Sequence, residues 1–261
     1  MKLNNKRTIL VGLAFLSICA FWQMYDSIVP LILTKTFHMN ETFSGAIMAA
    51  DNILALFLLP FFGSVSDKSH SKLGKRMPFI LFGTGCAIIL MNILPLLGNS
   101  YAAQPSGFKT ASFVIVLGLL LVAMGTYRAP AVALMPDVTP KPLRSRANAI
   151  INLMGAVGGI LYLGVAAVLY PNSKTAGLDH VNYQPLFIVV SAIMFVVVAV
   201  LFLTIREPKL TAENQALESS TRNGTLHRTT AAATRRSRSP SKRASASCWP
   251  PSRSGSSAIT A

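Results

Sequence analysis

Residues 43–78 read FSGAIMAADNILALFLLPFFGSVSDKSHSKLGKRMP, an apolar run followed by a short polar loop that ends in basic residues. The run 43–63 contains one ionisable residue, Asp51. It is long enough to cross the hydrocarbon core of a bilayer, which needs about 20 mainly apolar residues. Its residues do not alternate between apolar and polar, as they would in a strand of an outer-membrane barrel. The pattern therefore predicts a membrane-spanning helix.

Runs of this kind occur six times along the chain, at residues 9–33, 43–63, 78–97, 111–135, 147–170 and 183–205. The composition agrees, because 52% of the 261 residues are hydrophobic and only 13% are charged, whereas a soluble domain carries roughly a quarter charged residues. The first run follows basic residues, as in a signal peptide, but it is too long and leads into five further runs. We therefore predict an all-α membrane protein with six transmembrane helices.

Lysine and arginine are unevenly divided between the two sides of the predicted helices. Up to residue 210, twelve Lys and Arg residues lie on one side: in the N-terminal segment, between runs two and three, between runs four and five, and after the sixth run. Three lie on the other side, in the remaining connections. Cytoplasmic loops carry the excess of basic residues in membrane proteins. We therefore expect a multi-pass protein of the plasma (inner) membrane with both termini in the cytoplasm.

The end of the chain differs in composition from the rest. Residues 1–218 hold 16 Lys and Arg against 9 Asp and Glu, whereas residues 219–261 hold 8 and none. Such a segment cannot bury enough apolar surface to become ordered, so we predict a six-helix bundle over 1–210 and a disordered basic tail over 211–261. A tail of this kind could contact anionic lipid or nucleic acid. The abrupt change near Glu218 also fits a shifted reading frame, which we favour.

Three ionisable residues lie inside the predicted spans: Asp26, Asp51 and Arg128. Because a charge in the bilayer is costly, each should have a partner, a water-filled cavity or a functional role. The helical rise places Asp26 and Asp51 about 10 and 12 Å below the outer surface, and Arg128 roughly 25 Å below it. The two acids could therefore face each other and share a proton or a cation, or they could be protonated packing groups. Arg128 could present its guanidinium to a cavity or extend it to the cytoplasmic surface.

Aromatic and amide side chains could complete a substrate site around these charges. Trp22 and Asp26 are four residues apart and share a helix face, with Tyr25 beside them. An aromatic ring next to an acid suits a sugar, although Trp and Tyr are also common at the membrane interface. Asn148 and Asn152 share a face of the fifth span by the same spacing, and could line a cavity or bond to another helix.

The sequence offers little support for an enzyme or a metal site. Its three cysteines, Cys19, Cys86 and Cys248, are too scattered for a disulfide framework or a thiolate cluster. It has no His/Glu metal box and no Gly-x-Ser-x-Gly elbow. We expect no enzymatic activity, no cofactor and no metal.

The loop between the second and third runs has a recognisable form: Gly63 is followed by Asp67 and Lys68, and then by the sequence Gly74-Lys75-Arg76. It resembles the loop signature of the major facilitator superfamily, which is a Gly, three residues, Asp-Arg/Lys, one residue, then Gly and two basic residues. Here about four extra residues separate Lys68 from Gly74. This longer form, ending Gly-Lys-Arg-x-Pro, looks like the branch that contains plant sucrose transporters, their animal relatives and bacterial glycoside-pentoside-hexuronide symporters.

A second segment carries the same resemblance, which covers about residues 7–209. Tyr127-Arg128-Ala-Pro130 is followed by Asp137 and then by Arg144, similar to the arginine of span four and the Asp-containing loop in that superfamily. The resemblance implies a secondary transporter that moves a sugar with a cation by alternating access. Such transporters consist of two six-helix halves, each a pair of inverted three-helix repeats. We expect this chain to supply one half.

The resemblance implies a substrate-binding role for Arg128, a sugar or coupling-ion role for Asp26 and Asp51, and a gate role for Asp67, Lys75 and Arg76. The aromatic, amide and loop residues described above complete the expected sites. The expected substrate-binding residues are Arg128, Asp26, Trp22, Tyr25, Asn148 and Asn152, and the expected coupling-ion residues are Asp26 and Asp51. The expected cytoplasmic gate consists of Gly63, Asp67, Gly74, Lys75, Arg76, Asp137 and Arg144. Sodium-coupled relatives often carry an acid in span four that this chain lacks, so we favour proton over sodium coupling.

Several partners follow from this interpretation. They are a small sugar, a proton, the lipid bilayer, and either a missing C-terminal half or a second copy of the chain, with no specific nucleic acid. We hypothesise that the isolated chain does not transport. The alternative function is a membrane-anchored binding or regulatory protein whose basic tail contacts anionic lipid or nucleic acid.

Overall fold

The computed structural model describes residues 5–69, 71, 74–139, 141–171, 178 and 180–204, with side chains from residue 8 onward. All of these residues belong to one compact unit, Met1–Glu218. The boundary predicted at residue 210 and the tail predicted for 211–261 lie outside the described residues.

Six helices in the described part of the chain are long and apolar enough to cross a membrane, which confirms the predicted all-α fold. A short 3-10 turn, Lys141–Leu143, precedes the fifth helix. The helices are α1 (Asn5–Leu31, continued by a π-helical segment, Ile32–Thr36), α2 (Glu41–Lys68), α3 (Met77–Ala103), α4 (Gly107–Val138), α5 (Arg144–Leu169) and α6 (Gln184–Thr204).

Most helices extend beyond the apolar runs that predicted them. Helix α2 continues past the predicted end at residue 63 to Lys68, and α3 continues past residue 97 to Ala103. Hydropathy detects only the apolar part of a helix, whereas backbone hydrogen bonding continues into polar residues until a cap or a turn ends it. At the start of α2, the side-chain oxygen of Asn40 accepts a hydrogen bond from the backbone N–H of Thr42 at 3.2 Å.

The packing of the helices follows a two-fold pattern. Helix α1 packs on α5 and α6, and helix α4 packs on α2 and α3. Helices α3 and α6 also pack on each other. Exchanging α1, α2 and α3 for α4, α5 and α6 leaves this set of pairs unchanged. The arrangement is that expected of the two three-helix repeats.

Glycines allow two of these helices, α5 and α3, to approach their neighbours closely. A Cβ atom on Gly158 would lie 2.1 Å from the carbonyl oxygen of Leu16, so only glycine fits at this crossing of α5 and α1. One turn earlier, a Cβ atom on Gly155 would lie 2.9 Å from Cys19 Sγ. On α3, a Cβ atom on Gly83 would lie 2.7 Å from the backbone nitrogen of Tyr127 on α4.

Different polar networks lie at the two ends of the bundle. The end that carries the connections 69–76 and 139–143 is called the basic end below. At the opposite end, the ring of His180 joins the α5–α6 connection to α1 and α3. Its Nδ1 lies 3.0 Å from Thr36 Oγ1 and its Nε2 lies 3.1 Å from Asn99 Oδ1.

Candidate substrate site

Helix α1 contributes two aromatic rings and an acid to the candidate site. The rings of Trp22 and Tyr25 lie edge to face with centroids 5.4 Å apart, as their spacing of three residues on one helix allows. Tyr25 is 1% exposed, and Asp26, the next residue, is exposed. Tyr25 and Asp26 therefore put a buried hydroxyl and an accessible carboxylate side by side on the chain.

Helix α2 contributes Asp51, which is 8% exposed. Its carboxylate lies within electrostatic range of Asp26 and Arg128, and also of the Tyr25 hydroxyl. The structure thus brings the two acids near each other. Ionising both at once is unfavourable because the like charges repel.

Helix α4 places its arginine next to the α1 aromatic residues. The guanidinium of Arg128 lies over the Trp22 ring, 5.4 Å from the centroid, a distance at which a cation is attracted to the ring face. Arg128 also interacts electrostatically with the Cys19 thiol on α1. Trp22 lies nearly five turns from the first residue of α1, so the guanidinium points into the bundle and not toward the basic end.

Three buried polar atoms in this cluster have no hydrogen-bond partner among the described residues. They are Trp22 Nε1, Tyr25 OH and Asp51 Oδ1. A buried polar group that stays unpaired costs about 1–3 kcal/mol. The cluster therefore has unused capacity to bind a polar ligand.

The two asparagines are one turn apart on α5, and both are exposed. Neither Asn148 nor Asn152 is hydrogen-bonded to Asp26, Asp51 or Arg128 in the part of the chain that the structure describes. The structure therefore brings together the α1, α2 and α4 members of the predicted substrate site and shows no hydrogen bond from these two asparagines to them.

A second cluster, at the basic end, centres on Arg76. Its side chain is buried and pairs with Asp67 at the end of α2 (2.5 Å) and with Asp137 at the end of α4 (3.0 Å). It also donates to Ser66 Oγ at 3.4 Å, and Ser66 Oγ donates to the carbonyl oxygen of Lys75 at 3.3 Å. One arginine thereby ties two helix ends together by charge-assisted hydrogen bonds.

The other residues predicted for the gate surround this cluster. Gly74 has φ 116°, a left-handed conformation that favours glycine. Arg144 donates to the carbonyl oxygens of Pro136 (2.9 Å) and Thr139 (3.2 Å), and so caps the end of α4. Lys75 is exposed, and Gly63 is a helical residue of α2 with open space where a Cβ atom would lie.

Sequence reasoning missed a buried contact that positions the arginine. The hydroxyls of Tyr127 and Ser17 lie 2.7 Å apart, and Tyr127 also donates to the carbonyl oxygen of Ala14 at 3.1 Å. This contact fixes α4 against α1 immediately beside Arg128. No spacing in the sequence pairs residues so far apart, and the only signal was that Tyr127 precedes Arg128.

Comparison with known proteins identifies the family. The sequence profile of the Major Facilitator Superfamily matches residues 11–249. The chain belongs to this superfamily. It is therefore a multi-pass membrane protein of a transporter family, which confirms the family predicted from the two loop segments and favours transport over enzymatic activity.

Several relatives of this major facilitator protein are sucrose transport proteins. Sucrose transport protein SUC3 of Arabidopsis thaliana is 36% identical over 158 residues, which are 56% of this chain and 26% of that protein. Sucrose transport protein SUT3 of Oryza sativa subsp. indica is 35% identical over 154 residues, 54% of this chain and 30% of that protein. Solute carrier family 45 member 3 of Homo sapiens is 25% identical over 186 residues, 70% of this chain and 34% of that protein. The match spans about a third or less of these relatives.

Proposed function

We propose that this chain is a sugar-binding unit of a secondary transporter that moves a sucrose-like or glycoside-like sugar together with a proton by alternating access. Similarity to proteins named sucrose transport proteins supports the choice of substrate. The observation that carries the proposal is the guanidinium of Arg128 over the Trp22 ring, with Asp51 in electrostatic range. It combines an aromatic face with charged hydrogen-bonding groups, which is what a sugar requires.

In this proposal the sugar binds through both its apolar and its polar surfaces. Its C–H face stacks on Trp22, with Tyr25 extending the aromatic wall, and its hydroxyls bond to Arg128 and Asp26. Because Arg128 covers one part of the ring, the sugar uses the remaining surface or displaces the guanidinium. The exposed amides of Asn148 and Asn152 are proposed as further hydroxyl ligands.

Asp26 and Asp51 are proposed as the coupling acids. The pair combines an exposed acid with a buried one, and their mutual repulsion favours a state that holds one proton. Helix α4 has no acid within its apolar run, where sodium-coupled relatives often carry one. This difference supports proton over sodium coupling.

The basic end is proposed to lie on the cytoplasmic side of the plasma membrane, together with both termini, because that end carries the excess of Lys and Arg. Opening it would separate Arg76 from Asp67 or Asp137, so these ion pairs suit a gate that holds α2 and α4 together. The proposed gate residues are Gly63, Asp67, Gly74, Lys75, Arg76, Asp137 and Arg144.

A second six-helix unit is proposed to complete the transporter. Asp26, Asn148 and Asn152 are exposed on helices long enough to span the bilayer. Charged and polar side chains in spans face a protein partner or a water-filled cavity and not lipid. A C-terminal half or a second copy would cover this surface, and the isolated chain would bind sugar without transporting it. Family membership favours this function over an anchor with a basic tail.

Equilibrium binding of radiolabelled sucrose to the full chain in lipid nanodiscs tests the proposal. We expect saturable binding that Arg128→Gln weakens by about tenfold or more, because charged hydrogen bonds to the sugar are lost. Arg146→Gln is the matched control, since it removes an exposed arginine of α5, and should bind as the wild type does. No saturable binding by the wild type, or equal affinity in Arg128→Gln, would overturn the proposal. Saturable uptake into liposomes by the chain alone would contradict the need for a second unit.

A further inference from the structure

The unpaired atoms Trp22 Nε1, Tyr25 OH and Asp51 Oδ1 come from α1 and α2, and Tyr25 lies near each of the other two side chains. The Trp22 and Tyr25 rings are in edge-to-face contact, and the Tyr25 hydroxyl is in electrostatic range of Asp51. The side chains of Tyr25 and Asp51 are more than nine-tenths buried, so bulk water does not freely satisfy these atoms.

The three atoms form a matched set of donors and acceptors. The indole nitrogen can only donate, a carboxylate oxygen can only accept, and the phenol can donate its proton. One hydroxyl group has two lone pairs and one proton. It could therefore accept from Trp22 and Tyr25 while donating to Asp51, and satisfy all three buried atoms at once.

We propose that Trp22, Tyr25 and Asp51 form a subsite for a single neutral hydroxyl group, supplied by a sugar or by a water molecule. The sugar source rests on the proposed function, whereas the water source does not. The subsite assigns Asp51 a direct contact with a ligand hydroxyl, in addition to its proposed part in coupling.

The surrounding charges favour a neutral ligand at this position. A metal cation would meet the indole N–H of Trp22 and the nearby guanidinium of Arg128, both of which repel positive charge. An anion would meet Asp51 and, beyond it, Asp26. A hydroxyl avoids both penalties because it offers a donor and an acceptor without net charge.

The indole N–H resonance of Trp22 reports directly on the subsite. Trp22 and Trp249 are the two tryptophans of the chain, so ¹⁵N-tryptophan labelling of the full chain with Trp249→Phe leaves one indole signal. We expect this signal to show a hydrogen-bonded proton and to move in Tyr25→Phe and in Asp51→Asn. Tyr162→Phe is the matched control, because it removes a buried hydroxyl on α5 that bonds to Ser27, and should leave the signal in place.

Adding sucrose distinguishes the two sources of the hydroxyl. A signal that moves on saturation with sucrose identifies the sugar, and one that responds to both variants but not to sucrose identifies water. If the Trp249→Phe chain shows an unbonded indole proton both with and without sucrose, the subsite is wrong, whether or not the other variants fold. An indole signal that changes in neither Tyr25→Phe nor Asp51→Asn would also overturn the proposed subsite.

Binding of sucrose analogues that each have one hydroxyl replaced by hydrogen tests the sugar source separately. We expect one analogue to bind about tenfold more weakly than sucrose, and Tyr25→Phe to reduce that difference. Equal binding of all analogues would exclude a sugar hydroxyl at this position. If sucrose does not bind at all, the proposed function fails, but the indole signal still decides whether the subsite holds water.

Discussion

The guanidinium carbon of Arg128 lies 5.4 Å from the centroid of the Trp22 ring. This contact joins α4 to α1 at the place where α2 brings in Asp51. A cation over an indole face is worth about 0.5–2 kcal/mol, more when both groups are desolvated. It also determines how much of the ring a ligand can reach.

Replacing Trp22 with progressively less aromatic side chains should weaken sugar binding step by step. Trp22→Phe keeps an aromatic face with weaker cation attraction, whereas Trp22→Leu removes the face. We expect the affinity for radiolabelled sucrose to fall from wild type to Trp22→Phe to Trp22→Leu, by about tenfold or more for the last. Trp249→Phe is the control and should not change the affinity, and a Trp22→Leu protein that binds normally would remove Trp22 from the site.

Loss of Arg76 should destabilise the bundle more than loss of either of its acids. Arg76→Gln leaves Asp67 and Asp137 without their shared cation, and we expect a cost of about 1–3 kcal/mol. Asp67→Asn should cost least, because the side chain of Asp67 is 62% exposed and that of Asp137 is 33% exposed. Unfolding in detergent, followed by circular dichroism, measures the order.

Arg146→Gln gives the control for this series, because it removes the same charge from an exposed position. Its stability should match that of the wild type. Equal stability of Arg76→Gln and Arg146→Gln would show that the ion pairs at the basic end do not stabilise the bundle.

Two glycines of α5 should respond in opposite ways to alanine. Gly158→Ala would put a Cβ atom 2.1 Å from the Leu16 carbonyl oxygen, so α1 and α5 must separate, at a cost of about 1–3 kcal/mol or more. Gly164 has open space around its Cβ position, and Gly164→Ala should be neutral or stabilising by up to about 1 kcal/mol. Similar melting curves for the two variants would contradict the close crossing of α1 and α5.

The sequence predicted the fold well because each span is a local property of about 20 residues. All six apolar runs correspond to helices, and the extra length of α2 and α3 lies in polar residues that hydropathy cannot assign. The loop around Gly63, Asp67 and Arg76 indicated the family because it is also local. Depth counting placed Asp26 and Asp51 at similar levels, and the structure brings them within electrostatic range.

Contacts between distant helices could not be predicted in the same way. Residue counting placed Arg128 deeper than Asp26, but it gives neither the tilt of a helix nor the reach of a side chain. The structure puts its guanidinium over Trp22, one turn from Asp26. The bond between Tyr127 and Ser17 likewise depends on how α4 crosses α1.

Removing the Tyr127 hydroxyl should test that crossing. Tyr127→Phe loses the contacts with Ser17 Oγ and the Ala14 carbonyl oxygen, and we expect a loss of about 1–2 kcal/mol in unfolding free energy. Tyr25→Phe is the matched comparison, because the Tyr25 hydroxyl has no partner among the described residues, and should cost less. The reverse order in thermal unfolding would contradict the assigned hydrogen bonds.

The pH dependence of sucrose binding tests the central claim, which is sugar binding at the Arg128–Trp22 cluster coupled to a proton on the Asp26 and Asp51 pair. If the protonated pair favours the sugar, linkage requires that affinity rises as pH falls and that binding takes up protons. Asp51→Asn mimics the neutral acid and should flatten this dependence while retaining binding. Sucrose affinity that does not change with pH, or that changes equally in the wild type and Asp51→Asn, would contradict the account.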